Sequence, residues 1–172
     1  DLDTSRGLGD VYKRQRRRGA LFASGYEYPG RYSRWDIGFV NPPVELKARQ
    51  RAFEFRALNE RGRVLLDIFR AGLEGHPHLE SLEVMDGQLH GCVQPMPTHF
   101  REEDRSKQPT IFSVLRALVE QMRSEDEPHL GFYGALGYDL VFQFEPIDMR
   151  HERAEDQPDL HLFVPDELIV VD

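Results

Sequence analysis

Between residues 44 and 57 the chain alternates apolar and charged side chains. Val44, Leu46 and Ala48 are separated by Glu45, Lys47 and Arg49, and Phe53, Phe55 and Ala57 by Glu54 and Arg56. Successive side chains of a strand point to opposite faces, so a period of two describes half-buried strands. A helix would scatter the same residues around its circumference. The segment therefore calls for a sheet with one apolar face, the usual form of antiparallel sheet.

Further strands are expected at Ala20–Ala23, at Ile37–Val40 before the ladder-breaking Asn41-Pro42-Pro43, and at Leu160–Val164. Asn59–Gly62 is read as a turn into a strand at Val64–Leu66, with a short helix over 67–75 ending near Gly75. Leu82 and Val84 should face Leu89 and Val93 across Asp86-Gly87, a dipeptide suited to the positive φ angles of a type I′ turn. Residues 95–109 read as a polar surface loop. The best helix is Ile111–Met122, whose apolar positions 111, 114, 115, 118, 119 and 122 form one stripe. Thr110 is placed to cap it, and Arg123 suits its C-terminal end. After the turn at Pro165-Asp166-Glu167, the run Leu168-Ile169-Val170-Val171 is expected to return as a strand buried on both faces. Many hairpins and few helices give an α+β class, largely antiparallel.

Composition narrows the function. With 40% hydrophobic residues the chain can bury a core. Six basic and three acidic side chains fall in residues 1–18, leaving 16 basic against 27 acidic in residues 19–172. An acidic body is a poor partner for nucleic acid, and the basic cluster Lys13, Arg14, Arg16, Arg17 and Arg18 reads as a solvated tail. Residues 1–16 are taken as a non-native or disordered tail, with residues 1–15 resembling a cloning or sequencing scar. Residues 17–172 are taken as one truncated domain. No apolar run is long enough to cross a bilayer, and no signal peptide opens the chain, so a cytoplasmic protein without a membrane partner is expected. A single cysteine, Cys92, leaves no internal disulfide.

The candidate chemical groups are sparse. His76 and His78 flank a proline and read as satisfied loop residues, because no third ligand lies near in sequence. Glu102-Glu103-Asp104 sits among Arg101, Arg105 and Lys107 and reads as a solvated mixed-charge face. Cys92 reads as a small buried hydrophobe. His151 and His161 have no acid or hydroxyl partner that spacing can place. Gly131, Gly134 and Gly137 read as sites of close backbone packing, lacking the strand-then-helix context of a phosphate loop. No catalytic constellation, metal cage or cofactor motif emerges.

The exceptional stretch is Ser24–Asp36, with three tyrosines, a tryptophan and two arginines in 13 residues. It can line an amphipathic pocket in which Arg31 or Arg34 binds a carboxylate and the rings hold a planar ligand. On the chemistry of these residues alone, the favoured reading is an aromatic plug between sheets, with Arg31 or Arg34 paired to Glu27 or Asp36.

The segment Gly19–Asp36, with its Gly30-Arg31-Tyr32-Ser33 block, resembles the N-terminal region of anthranilate synthase component I, most of all the form fused to its glutamine amidotransferase. The blocks Gly131–Leu140 and Pro158–Asp166 agree with it, and the resemblance runs in order over residues 17–172. It implies a portion of the α/β sandwich of chorismate-utilising enzymes. The family's reaction converts chorismate and glutamine to anthranilate, pyruvate and glutamate, a lyase step of tryptophan biosynthesis. Its Leu-Leu-Glu-Ser motif helps form the site of feedback inhibition by tryptophan. The matching positions are Leu21, Phe22, Ala23 and Ser24, with Ala23 in place of the usual Glu. Ser24 is carried over as the hydroxyl that binds the ligand's polar head, and Tyr32 and Ser33 as pocket wall.

The resemblance implies a regulatory and scaffolding role for this segment, inactive alone. It further implies a chorismate-binding domain, magnesium for the intact enzyme, an amidotransferase domain fused in cis, tryptophan as inhibitor and a homodimer. No cofactor is expected in the segment itself. A folate-pathway aminodeoxychorismate synthase, a phenazine-pathway synthase, or a stand-alone amino-acid-binding module are the alternatives.

Overall fold

The computed structural model describes residues 18–23, 36–97, 99–145, 150, 153–154 and 156–171. Within them the chain divides into two compact units, Pro43–Val164 and the segments on either side of it.

The larger unit is a six-stranded antiparallel sheet in the order β5-β6-β4-β3-β8-β7. Its strands are β3 (Val44–Arg49), β4 (Ala52–Ala57), β5 (Leu79–Met85), β6 (Gln88–Val93), β7 (Tyr133–Leu136) and β8 (Leu160–Val164). The alternating segment forms the central pair. Its register sets Leu46 opposite Phe55 on one side and Leu162 on the other, and Phe55 opposite Leu89. These four side chains make one apolar row on one face. Two helices supply the cover, α1 (Glu60–Leu73) and α2 (Ile111–Met122). Leu66, Phe69 and Leu73 of α1 and Ile111, Val114 and Leu118 of α2 join the row in one core. Each such side chain contributes roughly 1.5–3 kcal/mol on burial.

The first helix corrects the expected turn and strand at 59–66. Asn59 is an N-cap whose side chain accepts from the Gly62 N–H at 3.0 Å. Leu66 opens a helical stripe continued by Phe69 and Leu73 while Val64 is left 61% exposed, and a three-residue apolar run cannot tell the two structures apart. Gly62 also packs where a Cβ would lie 2.1 Å from the Pro43 carbonyl oxygen, which explains a glycine inside the helix. Helix α2 has the expected bounds. Thr110 is its N-cap, its N–H reaching Ser113 Oγ at 3.3 Å, and Arg123 ends it. The expected surface loop at 95–109 contains a 3-10 turn over Glu102–Lys107. The Asp86-Gly87 turn forms with both residues at positive φ, 48° and 75°. Val84 faces Leu89 as expected, but Leu82 faces Gly91 while Leu79 takes the place opposite Val93.

The smaller unit is a three-stranded antiparallel sheet, β1 (Gly19–Phe22), β2 (Asp36–Val40) and β9 (Ile169–Val171), with β2 in the centre. The apolar run at 168–171 thus returns to β2 and not to β8. It is not buried on both faces: Ile169 is 67% exposed and Val171 57%. The class is therefore α+β with few helices and antiparallel pairing, as expected.

Candidate functional site

The resemblance directs attention to β1 and the residues after it. Leu21 lies opposite Gly38 of β2, and Gly38 in turn lies opposite Ile169 of β9. With no side chain at Gly38, Leu21 folds over the vacancy, its Cδ1 3.4 Å from where a Cβ would stand. Leu21, Val40, Ile169 and Val171 share this face and are all more than half exposed. Phe22 points to the opposite face, where its ring lies 6.3 Å from that of Phe39. A ligand seated on one face therefore touches Leu21 or Phe22, not both. Ala23 follows the strand and is exposed. Ser24, Tyr32 and Ser33, with the rest of the aromatic stretch before Asp36, lie outside the described residues, as does His151.

The larger unit carries polar groups that spacing could not pair. His161 lies 2.8 Å through Nε2 from Glu45 Oε1, a partner 116 residues away brought in by the pairing of β8 with β3. Glu45 is 4% exposed, and Lys47 Nζ approaches the same oxygen at 3.3 Å. Two basic partners offset the cost of burying that carboxylate.

The β3–β4 turn, Gln50-Arg51, is a second junction. Arg51 donates to the carbonyls of Gln94 at 2.7 Å and Pro109 at 2.9 Å, with a longer contact to that of Gln143. Burial holds its guanidinium below the ordinary value, Cys92 pulling the other way. Gln50 adopts φ 54°, its N–H donating to Asp159 at 2.5 Å and its carbonyl accepting from Gln143 Nε2 at 2.9 Å. Gln143 Oε1 accepts the Ile111 N–H at 2.8 Å, so one buried glutamine ties the turn to the start of α2. Arg153 bridges Asp159 and Asp139, and the Asp159 hydrogen bond, before anything else, raises its pKa. This network ties strand ends together.

The other sequence candidates are satisfied locally. His78 Nδ1 lies 2.9 Å from Ser113 Oγ, and the His78 N–H donates to His76 Nδ1 at 3.2 Å. Burial, then the neighbouring His78, lowers the His76 pKa. Burial, then Glu80, pushes the Cys92 thiol up, Arg51 opposing, so Cys92 is a poor nucleophile at neutral pH. Glu102 pairs with Arg105 and Asp104 with Lys107, each at 2.9 Å on the surface. At Gly134 and Gly137 an added Cβ would meet the His161 and Asp159 carbonyl oxygens at 2.2 and 2.8 Å, the close packing expected; Gly131 has no such neighbour. Among the described residues no three His, Cys, Asp or Glu side chains gather as a metal cage, and no helix is long and apolar enough to cross a membrane.

No family model matches the chain. Among curated proteins, "Anthranilate synthase" of Azospirillum brasilense is 47% identical over 157 residues, 91% of this chain and 21% of that protein. "Anthranilate synthase component 1" of Buchnera aphidicola subsp. Tetraneura caerulescens is 28% identical over 81 residues, 45% of this chain and 15% of that protein. The chain is thus homologous to a segment of anthranilate synthase, as its sequence blocks indicate, and spans about a fifth or less of the length of these relatives.

Proposed function

We propose that the chain is the N-terminal regulatory and scaffolding segment of an anthranilate synthase, the lyase that forms anthranilate, pyruvate and glutamate from chorismate and glutamine. The observation that carries this reading is the 47% identity maintained over 91% of the chain. The intact enzyme then works in the cytoplasm, in tryptophan biosynthesis. A chorismate-binding domain, a glutamine amidotransferase domain fused in cis and a second copy of the chain are its partners. Magnesium belongs to that chorismate-binding domain. This segment contributes no catalytic group.

Its regulatory part is the site for tryptophan as feedback inhibitor. The exposed apolar side chains of Leu21 and Ile169, on one face of the smaller sheet, support that reading, because they offer an indole ring an apolar surface to lie on. The hydroxyl of Ser24 receives the amino-acid head, with Ala23, Tyr32 and Ser33 around it; Phe22, on the opposite face from Leu21, backs the strand that carries them. Inhibition follows by linkage: tryptophan favours a state of the whole enzyme that binds chorismate more weakly, and chorismate disfavours tryptophan by the same factor.

The test is Ser24→Ala in the full-length enzyme. The inhibition curve should shift to higher tryptophan by about tenfold, the loss of one good hydrogen bond to a charged head group, with kcat and KM for chorismate unchanged. A curve superimposable on the parent's removes Ser24 from the sensor. Product analysis separates this enzyme from an aminodeoxychorismate or phenazine-pathway synthase, since only one of them releases anthranilate with pyruvate.

A further inference from the structure

The loop between α1 and β5, Gly75-His76-Pro77-His78, is tied down by its two histidines. The His78 N–H donates to His76 Nδ1 at 3.2 Å, and the two rings stand nearly perpendicular with centroids 5.5 Å apart. His78 Nδ1 lies 2.9 Å from Ser113 Oγ in the first turn of α2. That oxygen also accepts the Thr110 N–H at 3.3 Å. A chain of three hydrogen bonds thus runs from His76 through His78 and Ser113 to the cap of the helix. At the start of the loop Gly75 adopts φ 72°, with no atom within 4 Å of where a Cβ would stand. A glycine there lets the chain turn with least strain.

The direction of the first bond fixes the state of the ring. An imidazole nitrogen accepts only when it carries no hydrogen, so neutral His76 holds its hydrogen on Nε2. A proton added to His76 goes to Nδ1, where it faces the His78 N–H. The acceptor is then gone and two hydrogens oppose each other. The Ser113 hydroxyl, by contrast, can donate to a neutral His78 or accept from a charged one. A charged His78 would still sit beside the positive end of the α2 dipole. Both positions favour a neutral ring.

The neighbouring charges do not reverse this. Arg70 and Glu74 at the end of α1 and Glu80 of β5 share a hollow with His76. Lys107 of the 3-10 turn and Arg116 and Glu120 of α2 share another with both rings. Three cations therefore stand against three carboxylates. Lys107 pairs with Asp104 and Glu120 with Arg123, and among the described residues no carboxylate pairs with either histidine. Burial, then the His78 ring, holds His76 below the ordinary 6.5.

We propose that the histidine pair is an acid-sensitive latch: neutral His76 holds the loop against the start of α2, and protonated His76 releases it. The latch is shut at neutral pH and opens as the pH falls through the folded value of His76. The opening is local. The loop turns at Gly75 and His78 leaves Ser113, so the cap of α2 responds to pH while the apolar core beneath it does not. The device stands apart from the tryptophan site.

The test is a pH titration of the isotope-labelled full chain followed by nuclear magnetic resonance. The His76 ring should titrate with a midpoint under 6.5, and the amides of His78, Thr110 and Ser113 should shift with that same midpoint. His76→Gln places a side-chain carbonyl within reach of the His78 N–H at every pH. It should abolish the shared step at His78, Thr110 and Ser113 and leave the signals of the sheet at neutral pH in place. His78→Phe keeps a ring and the backbone N–H but removes the tie to Ser113. Thr110 and Ser113 should then lose the step while His76 still titrates. A step that persists at Thr110 and Ser113 in either variant, or a His76 midpoint at or above 6.5, overturns the proposal.

Discussion

The two sheets of this chain are built from similar residues and put them to opposite uses. In the six-stranded unit, Leu46, Phe55, Leu89 and Leu160 are at most 1% exposed, because two helices cover the apolar face. In the three-stranded unit, Leu21, Val40, Ile169 and Val171 are between 55% and 75% exposed, with Phe39 its buried residue of similar size. The second sheet is no less apolar, its outer strands Gly19–Phe22 and Ile169–Val171 being continuous apolar runs. What differs is cover: the larger unit brings two helices of its own, and the smaller unit has no helix among its described residues. Burial in the first supports stability, whereas an apolar face of this kind marks a place where something else binds.

That contrast can be broken most directly by matched truncations. Phe69→Ala removes a fully buried ring from the larger core and should cost about 3–5 kcal/mol in urea unfolding. Leu21→Ala, at a site 75% exposed, should change stability by no more than about 0.5 kcal/mol. Equal losses would mean that the smaller sheet depends on its apolar face as much as the larger one does.

Arg51→Met is the next largest effect. It removes the donor shared by the Gln94 and Pro109 carbonyls while keeping most of the side-chain volume. A loss of about 1–3 kcal/mol is expected, from the carbonyl of buried Pro109 left without its donor and from the freed turn, Gln94 being exposed to water. A loss below about 0.5 kcal/mol would show that water replaces the guanidinium without cost.

The smallest effect is a pH dependence. His76 has a lowered pKa, so between its folded value and the ordinary 6.5 the unfolded chain binds the extra proton. Its contribution is present above pH 6.5 and is lost as the pH falls through the folded value. His76→Gln should therefore flatten the acid side of the stability profile below about pH 6.5. A profile of unchanged slope would assign that acid sensitivity to other groups.

Much of the fold was legible because its signals are local. The period-two alternation at 44–57, the Asp86-Gly87 turn and the stripe of Ile111–Met122 each depend on neighbours within a few residues. The misread segments show where local pattern fails. Val64-Leu65-Leu66 is too short to choose between strand and helix, and the choice was made by the Asn59 cap and by Phe69 and Leu73 further along. The run at 169–171 looked doubly buried because its composition is apolar, but composition does not name the partner strand. The pairing of His161 with Glu45, and the convergence of Arg51, Gln143 and Asp159, join residues from 92 to 116 positions apart. No periodicity carries that information, since topology alone brings them together. At the proposed sensor, the sequence placed Leu21 and Phe22 in one motif, and the strand alternation then divided them between two faces.

The most direct test of the proposed sensing role is hydrogen exchange of the full-length enzyme with and without tryptophan. The account predicts slower exchange at the amides of Gly19–Phe22, Asp36–Val40 and Ile169–Val171, with Val44–Val164 unchanged. No protection at saturating tryptophan, or protection confined to Val44–Val164, would contradict it.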